Sequence, residues 1–330
     1  MKLNYRRFGI RLELAILFLF GFSFQYARPS ASSWRRLAQE PLIAPQGQTW
    51  ESAGTFNPAV IRHKSEFVML YRAQDSNGTS RLGYATSKDG LHFSRAVQPV
   101  LTPEATYEEN GGVEDPRLVK IGDTYYLTYT AYNKRDAQLC LATSLDLIHW
   151  ERQGILLPAY KGNWNVGWTK SGAITSQKIH GRYWMYWLGT APDKTDQMGL
   201  SYSKDLVHWT EATATPVLPR RPGKFDSRVV EPGPPPIVTE KGIFLIYNGA
   251  DDQLVYRTGL AVFDRKDPGK LLWRSDAPLF APELEWERVG QVPNVVFVEG
   301  MIEEKNRLLL YYGAADKYIG LVETTSPLTP

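Results

Sequence analysis

A hydrophobic, aromatic-rich segment recurs five times along this chain, as FVMLYRA, YYLTYTA, YWMYWLG, FLIYNGA and LLLYYGA. Its anchor aromatics Tyr71, Tyr129, Trp187, Tyr247 and Tyr311 lie 58, 58, 60 and 64 residues apart. A second element follows each copy: LGYATSKD, LCLATSLD, MGLSYSKD, TGLAVFD and IGLVETT. A third is a Pro-flanked apolar hook, seen in PLIAP, PVLTP, ILLPA, TPVLP and PLFAP. Self-similarity at a fixed period is the signature of a repeat architecture, and it constrains the fold more than any composition does. Short runs of period-2 patterning with turn punctuation read as antiparallel strands. Each unit holds about four such strands, so the repeats predict an all-β, five-bladed β-propeller of four-stranded blades. The first hook precedes the first unit and the last unit has none after it. Residues near 34 to 46 are therefore expected to supply the outer strand of blade five and close the ring, which would leave no exposed sheet edge. On this reading residues 34–330 form one domain.

The first 33 residues stand apart. A basic head (Lys2, Arg6, Arg7, Arg11) precedes an apolar run from Leu14 to Phe24 and then small residues, the layout of a secretory signal. An uncleaved anchor is the alternative, although the run is short for a membrane span. Removing residues 1–27 takes away four basic residues and one acid, so the formal charge of +3 falls to 3 − (4 − 1) = 0. The basic character thus belongs to the leader, and no nucleic-acid surface is expected. The expected location is secreted or periplasmic. The single cysteine, Cys140, stands where other repeats carry glycine and reads as a small packing residue. His92, His149 and His208 recur at one repeat position before an aromatic, which marks turns rather than a metal site. No metal or cofactor is expected.

In a propeller the openings of the innermost strands converge on one pocket. Here they are FNPAV (Asn57), VEDPRL (Glu114, Asp115, Arg117), TKSGAI (Lys170), EPGPPP (Glu231) and VPNVVF (Asn294). Two carboxyl groups on a rigid frame are what glycosidic-bond cleavage needs. Asp115 and Glu231 occupy nearly equivalent repeat positions and form the candidate pair. Glu114 points away from Asp115 in an extended segment and is expected to pair with an arginine. Trp164 and Trp168, in the irregular GNWNVGWTK loop, are candidates for stacking on a sugar ring. No phosphate-cradling glycine loop, HExxH, paired cysteines or nucleophile elbow is present.

GVEDPRLVKIGDTYYLTYTAYN, GPPPIVTEKGIFLIYNGAD and VPNVVFVEG, supported by NPAVI and LATSLDLIHW, resemble glycoside hydrolase family 130, the β-mannoside phosphorylases and mannosidases. The likeness spans about residues 38–323, and it implies a five-bladed propeller and a β-mannose-containing oligosaccharide as substrate. It also implies that Asp115 is the general acid of an inverting reaction, protonating the leaving oxygen through a sugar hydroxyl. Asn57, Arg72, Arg81 and Asp316 match positions that hold the sugar. Trp168, Tyr247, Asn248 and Asn294 complete the expected substrate-binding set.

The family's phosphorylases also carry cations that bind inorganic phosphate, and this chain departs from them. Val229 stands for a lysine, Glu231 for a small residue, Asn248 for a histidine, and Leu188 or Gly189 for an arginine; Lys170 remains. A site losing cations and gaining a carboxylate is poorly suited to a phosphate dianion. The same exchange suits hydrolysis, with Glu231 as the base activating water and Glu287 as a second candidate. The expectation is an exported inverting glycosidase. The alternatives are a phosphorylase releasing mannose 1-phosphate with phosphate as co-substrate, an arabinofuranosidase or fructan hydrolase, and a non-catalytic carbohydrate-binding propeller.

Overall fold

The computed structural model describes residues 34–304 and 306–325, and the expected signal segment lies outside them. The strands follow one another in five antiparallel groups. The first contains Gly54–His63, Glu66–Gln74, Ser80–Ser87 and the short Ser94–Arg95. Gly112–Ile121, Thr124–Tyr132, Ala137–Ser144 and Glu151–Leu157 make the second. The third runs through Thr169–Ile174, Tyr183–Thr190, Asp196–Ser203 and Thr210–Glu211. In the fourth, Val229–Pro232 and Ile237–Thr239 both pair with Gly242–Ala250, followed by Tyr256–Phe263 and Leu271–Arg274. The fifth has Val296–Glu304, Arg307–Ala314 and Tyr318–Thr324, and its fourth strand is the N-terminal Arg35–Arg36 paired with Tyr318–Thr324. That pairing matches the reading of the segment around residues 34–46, whose Ile43 also bridges Ile319. Neighbouring groups touch through parallel bridges at Ser80–Gly112, Asp196–Val229 and Tyr256–Val295.

The aromatic anchors are what hold each group together. Tyr71, Trp187, Tyr247 and Tyr312 each lie opposite a glycine (Gly83, Gly199, Gly259, Gly320), whose missing side chain is the space the ring fills. A β-carbon on any of them would fall within 2.6 Å of a ring atom. Cys140 faces Tyr129 in the same way and is buried. The fifth anchor is therefore Tyr312, one residue beyond the Tyr311 that spacing alone suggested.

Four tyrosines share a further arrangement in which the phenol donates to a buried acid that also takes an arginine. The sets are Tyr71–Glu51–Arg95, Tyr129–Glu108–Arg152, Tyr247–Asp226–Arg274 and Tyr312–Glu287–Arg36. Buried carboxylates persist when both oxygens are hydrogen-bonded, as they are in these four acids. In the third group the anchor is Trp187, and Trp164 stacks on it at 5.4 Å. Trp164 is core, not a sugar platform.

Two expected site residues belong to this frame. Glu287 is fully buried and accepts from Arg36, Tyr312 and the backbone N–H groups of Glu283 and Leu284. It has no lone pair left for a water and is not a second base. Tyr247 is fully buried and spends its hydroxyl on Asp226, so it does not reach substrate. The periodic histidines cap turns: the N–H of His92, His149 and His208 donates to Asp89, Asp146 and Asp205, with the ring exposed.

Candidate active site

The first strands of several groups open with a bulge, and the bulge residue takes a left-handed backbone conformation. Asn57 (φ 50), Asp115 (φ 50) and Ser171 (φ 59) are three such positions. A bulge breaks the alternation of the strand and re-aims a side chain. Left-handed φ is unfavourable for residues with a β-carbon, so the frame must impose it. These bulges turn side chains from separate groups toward one another.

Asp115 Oδ1 accepts from the Asn57 amide at 2.8 Å and from Arg72 at 3.0 Å. Arg72 also donates to Glu114 at 2.6 Å and to Ser80 at 3.0 Å, so Glu114 makes the arginine pair expected of it. Glu231 lies opposite Asn248 in its sheet and accepts a short hydrogen bond from the Ser171 hydroxyl. By register Glu231 matches Glu114 and Lys170, one position before Asp115 and Ser171. The near-equivalence read from the repeats is thus off by one. Lys170 faces Glu114, Asp115 and Glu231 together, and Asp316 (φ 50) faces Arg72 from the fifth group.

One layer deeper lies Arg117, almost fully buried, whose guanidinium ties two groups together. It donates to the carbonyls of Asp115 (3.0 Å), Pro232 (2.9 Å) and Gly233 (3.3 Å). Glu231 stands 4.0 Å from it and Glu299 2.9 Å. Glu299 is the residue that reading the repeats missed. It is the bulge of the fifth group, one pair further along its strand than Asn57 and Asp115. Although 2.9 Å from Arg117, both of its carboxyl oxygens are buried without a hydrogen bond. The available signal was distance: Asn57 and Asp115 each lie 14 residues before their anchors, and that spacing from either Tyr311 or Tyr312 falls in VFVEG and not at Asn294.

Burial acts differently on these acids because their neighbours differ. Burial alone would raise Asp115, but Arg72, Lys170 and Arg117, with the Asn57 amide, overcome it and hold its pKa at about 2. Burial raises Glu231 to about 7 against the pull of Arg117, Lys170 and Ser171. Asp316 is lifted by burial to about 6, with Arg72 opposing. Burial also raises Glu114, and it drives Glu299 well above the carboxylate range despite Arg117. Lys170 is raised because Glu114, Asp115 and Glu231 outweigh its burial. At neutral pH Asp115 is an anion, while Glu231 sits at its midpoint and can take or give a proton.

The remaining expected residues fall elsewhere. Arg81 is held by Asp75 at 2.8 Å across the Asn77–Thr79 turn, as Arg257 is by Asp251 at 2.7 Å, so it braces a turn. Asn248 is buried and exchanges hydrogen bonds with the backbone of Val298, pinning the fourth group to the fifth. Asn294 lies in the loop before the fifth group, where its carbonyl accepts from the Tyr256 N–H. Trp168 stays beside the cluster, with Lys170 Nζ 5.3 Å from its ring centroid.

An all-β frame thus gathers buried acids and cations from separate sheets into one site, the kind of arrangement that acid–base cleavage of a glycosidic bond needs. The chain belongs to glycoside hydrolase family 130: residues 33–327 match the family described as beta-1,4-mannooligosaccharide phosphorylase. It is 40% identical over 298 residues to the 1,2-beta-oligomannan phosphorylase of Thermoanaerobacter sp. (strain X514), covering 87% of this chain and 95% of that one. Among solved structures it resembles the beta-1,2-mannobiose phosphorylase of Listeria innocua in complex with beta-1,2-mannobiose. There the TM-score is 0.79 at 26% identity, over 88% of this chain and 96% of that one. A further solved structure is described by the finding that the GH130 family of mannoside phosphorylases contains glycoside hydrolases that target beta-1,2 mannosidic linkages in Candida mannan. Here the TM-score is 0.81 at 37% identity, over 90% and 94% of the two chains.

Proposed function

We propose that this protein cleaves β-mannosidic bonds, with β-1,2-linked oligomannosides as the substrate class, and that water is the acceptor. The observation that carries the acceptor is Glu231: a buried carboxyl with a pKa of about 7, close to Lys170 and held by Ser171. The charge around it supports the same reading. Arg72 and Arg117 are engaged by acids and carbonyls, and Lys170 faces three carboxylates. A phosphate dianion entering this cluster meets repulsion that a water does not. Asp115 is the proposed acid and Glu231 the proposed base of an inverting displacement. Asp115 starts as an anion, so to act as the acid it must first take a proton from solvent, a step that bound sugar favours by displacing the contacts of Arg72 and Asn57. The five strand groups are proposed to form a five-bladed propeller with this cluster at its axis.

Phosphorolysis is the second reading, and the names of the curated relatives favour it over hydrolysis. Purified protein incubated with β-1,2-mannobiose and longer mannosides, with and without inorganic phosphate, separates the two. Free mannose without phosphate is the expected product. Mannose 1-phosphate formed only when phosphate is added would overturn water as acceptor. Export is proposed from the N-terminal charge and apolar pattern of the sequence. Protein recovered outside the cytoplasm is expected to lack about the first 27–33 residues, and a full-length cytoplasmic species would contradict it.

A further inference from the structure

One side of the mouth beside the axial cluster is aromatic. Trp168 precedes the strand that carries Lys170, and the lysine Nζ lies 5.3 Å from its ring centroid. Tyr132 packs on the same indole with ring centroids 5.7 Å apart. The indole N–H donates to the Tyr160 hydroxyl at 3.1 Å, and that hydroxyl donates to Asp136 at 3.1 Å. Tyr160 is 55% exposed, whereas Trp168 and Tyr132 are half-buried, so the contacts step outward from the cluster into solvent.

The loop bearing these rings is built to hold still. The Tyr160 N–H donates to the Gly167 carbonyl at 2.7 Å, and the Val166 N–H to the Thr190 carbonyl at 2.9 Å. Asn165 accepts from the N–H groups of Thr190 (2.7 Å) and Gly167 (3.2 Å). Beneath it, Trp164 is stacked into the core. Tyr160 itself is held at φ 62, an unfavourable conformation for a bulky residue. A rigid loop that keeps apolar ring faces in water beside a polar cleft is preorganised for a ligand with both characters. The C–H face and hydroxyl edge of a pyranose fit that description, with the partly exposed Asp136 carboxylate available to the edge.

We propose that Tyr132, Trp168 and Tyr160 form a shelf for the sugar units beyond the one seated on the axial carboxylates, giving the enzyme a preference for oligosaccharides longer than a disaccharide. This rests on the mannoside-cleaving function proposed above and adds the length of chain that the site accepts. Trp168, nearest Lys170, takes the adjoining unit, and Tyr160 takes the next one out.

Initial rates on β-1,2-mannobiose, -mannotriose and -mannotetraose test this in the wild type, Tyr160→Ala, Trp168→Ala and the conservative Trp168→Phe. In the wild type kcat/KM rises with chain length. Stacking of this kind contributes about three- to tenfold in affinity. Tyr160→Ala is expected to lose about that factor on mannotetraose, in KM rather than kcat, and to lose less as the chain shortens. Trp168→Phe restores part of what Trp168→Ala loses. Equal loss at every length, or no loss on mannotetraose with all proteins folded, would overturn the shelf and leave the bond-cleaving function standing. Calorimetric titration of the wild type with mannotetraose covers the other failure: neither binding nor turnover would remove the mannoside function and the shelf with it.

Discussion

Asp115→Asn is expected to cut turnover of β-mannosides by about 10²–10⁴-fold, the usual contribution of a positioned general acid, while sugar binding is retained. The amide keeps the size of the carboxylate and can still accept from Arg72, so the site survives but cannot relay a proton. Isothermal titration with mannobiose alongside rate measurements gives both readouts. Unchanged turnover would remove Asp115 from the chemistry, and lost turnover with lost binding would reduce it to a sugar-holding residue. The pH profile separates its task from that of Glu231. As a base Glu231 must be ionised, so kcat/KM should rise with pH through about 7 and lose that limb in Glu231→Gln. A profile that falls through the same range would make Glu231 the acid and Asp115 the fixed anion.

The second large effect concerns Arg117. Arg117→Ala leaves Glu299 without the cation 2.9 Å from it and strips the carbonyls of Asp115, Pro232 and Gly233 of a donor. A buried carbonyl that loses its donor costs about 1–3 kcal/mol, and with three affected the loss should appear in urea denaturation. Arg117→Lys is expected to recover little, because an ammonium lacks the planar fork that reaches three carbonyls at once. Glu299→Gln should cost far less than Arg117→Ala, since burial already favours the uncharged carboxyl. A midpoint change for Arg117→Ala no larger than that of Glu299→Gln would show that the guanidinium does not tie these groups together.

How much of the site was legible follows from what local pattern can carry. Asn57, Glu114 and Asp115 were readable because the NP and EDPR openings recur at fixed distances from an aromatic anchor, and Arg72 through the family resemblance. Glu231 was readable as a carboxylate, but its register was not. The fourth group splits its first strand around a proline run, and spacing alone does not count such an interruption. Glu299 was missed in favour of Asn294 because the fifth group's bulge lies one pair further along its strand than those of Asn57 and Asp115, inside VFVEG rather than at the polar residue before it. Tyr247, Asn248 and Glu287 looked available because polar atoms in a sequence carry no record of their partners. The tertiary frame spends them on Asp226, Val298 and Arg36.

The sequence by itself determined the all-β class, the five repeated units, the contribution of the N-terminal segment to the last sheet, and the family. Those follow from periodicity, which survives in one dimension. Only the tertiary structure decided which acids share cations and which stand apart. Asp115 and Glu231 are both carboxylates beside a proline, yet one is held at about 2 and the other lifted to about 7. The difference comes from Arg72 and Asn57, which belong to the first group and reach Asp115 across the fold. Electrostatic fields act through space, so that distinction exists only once separate groups meet.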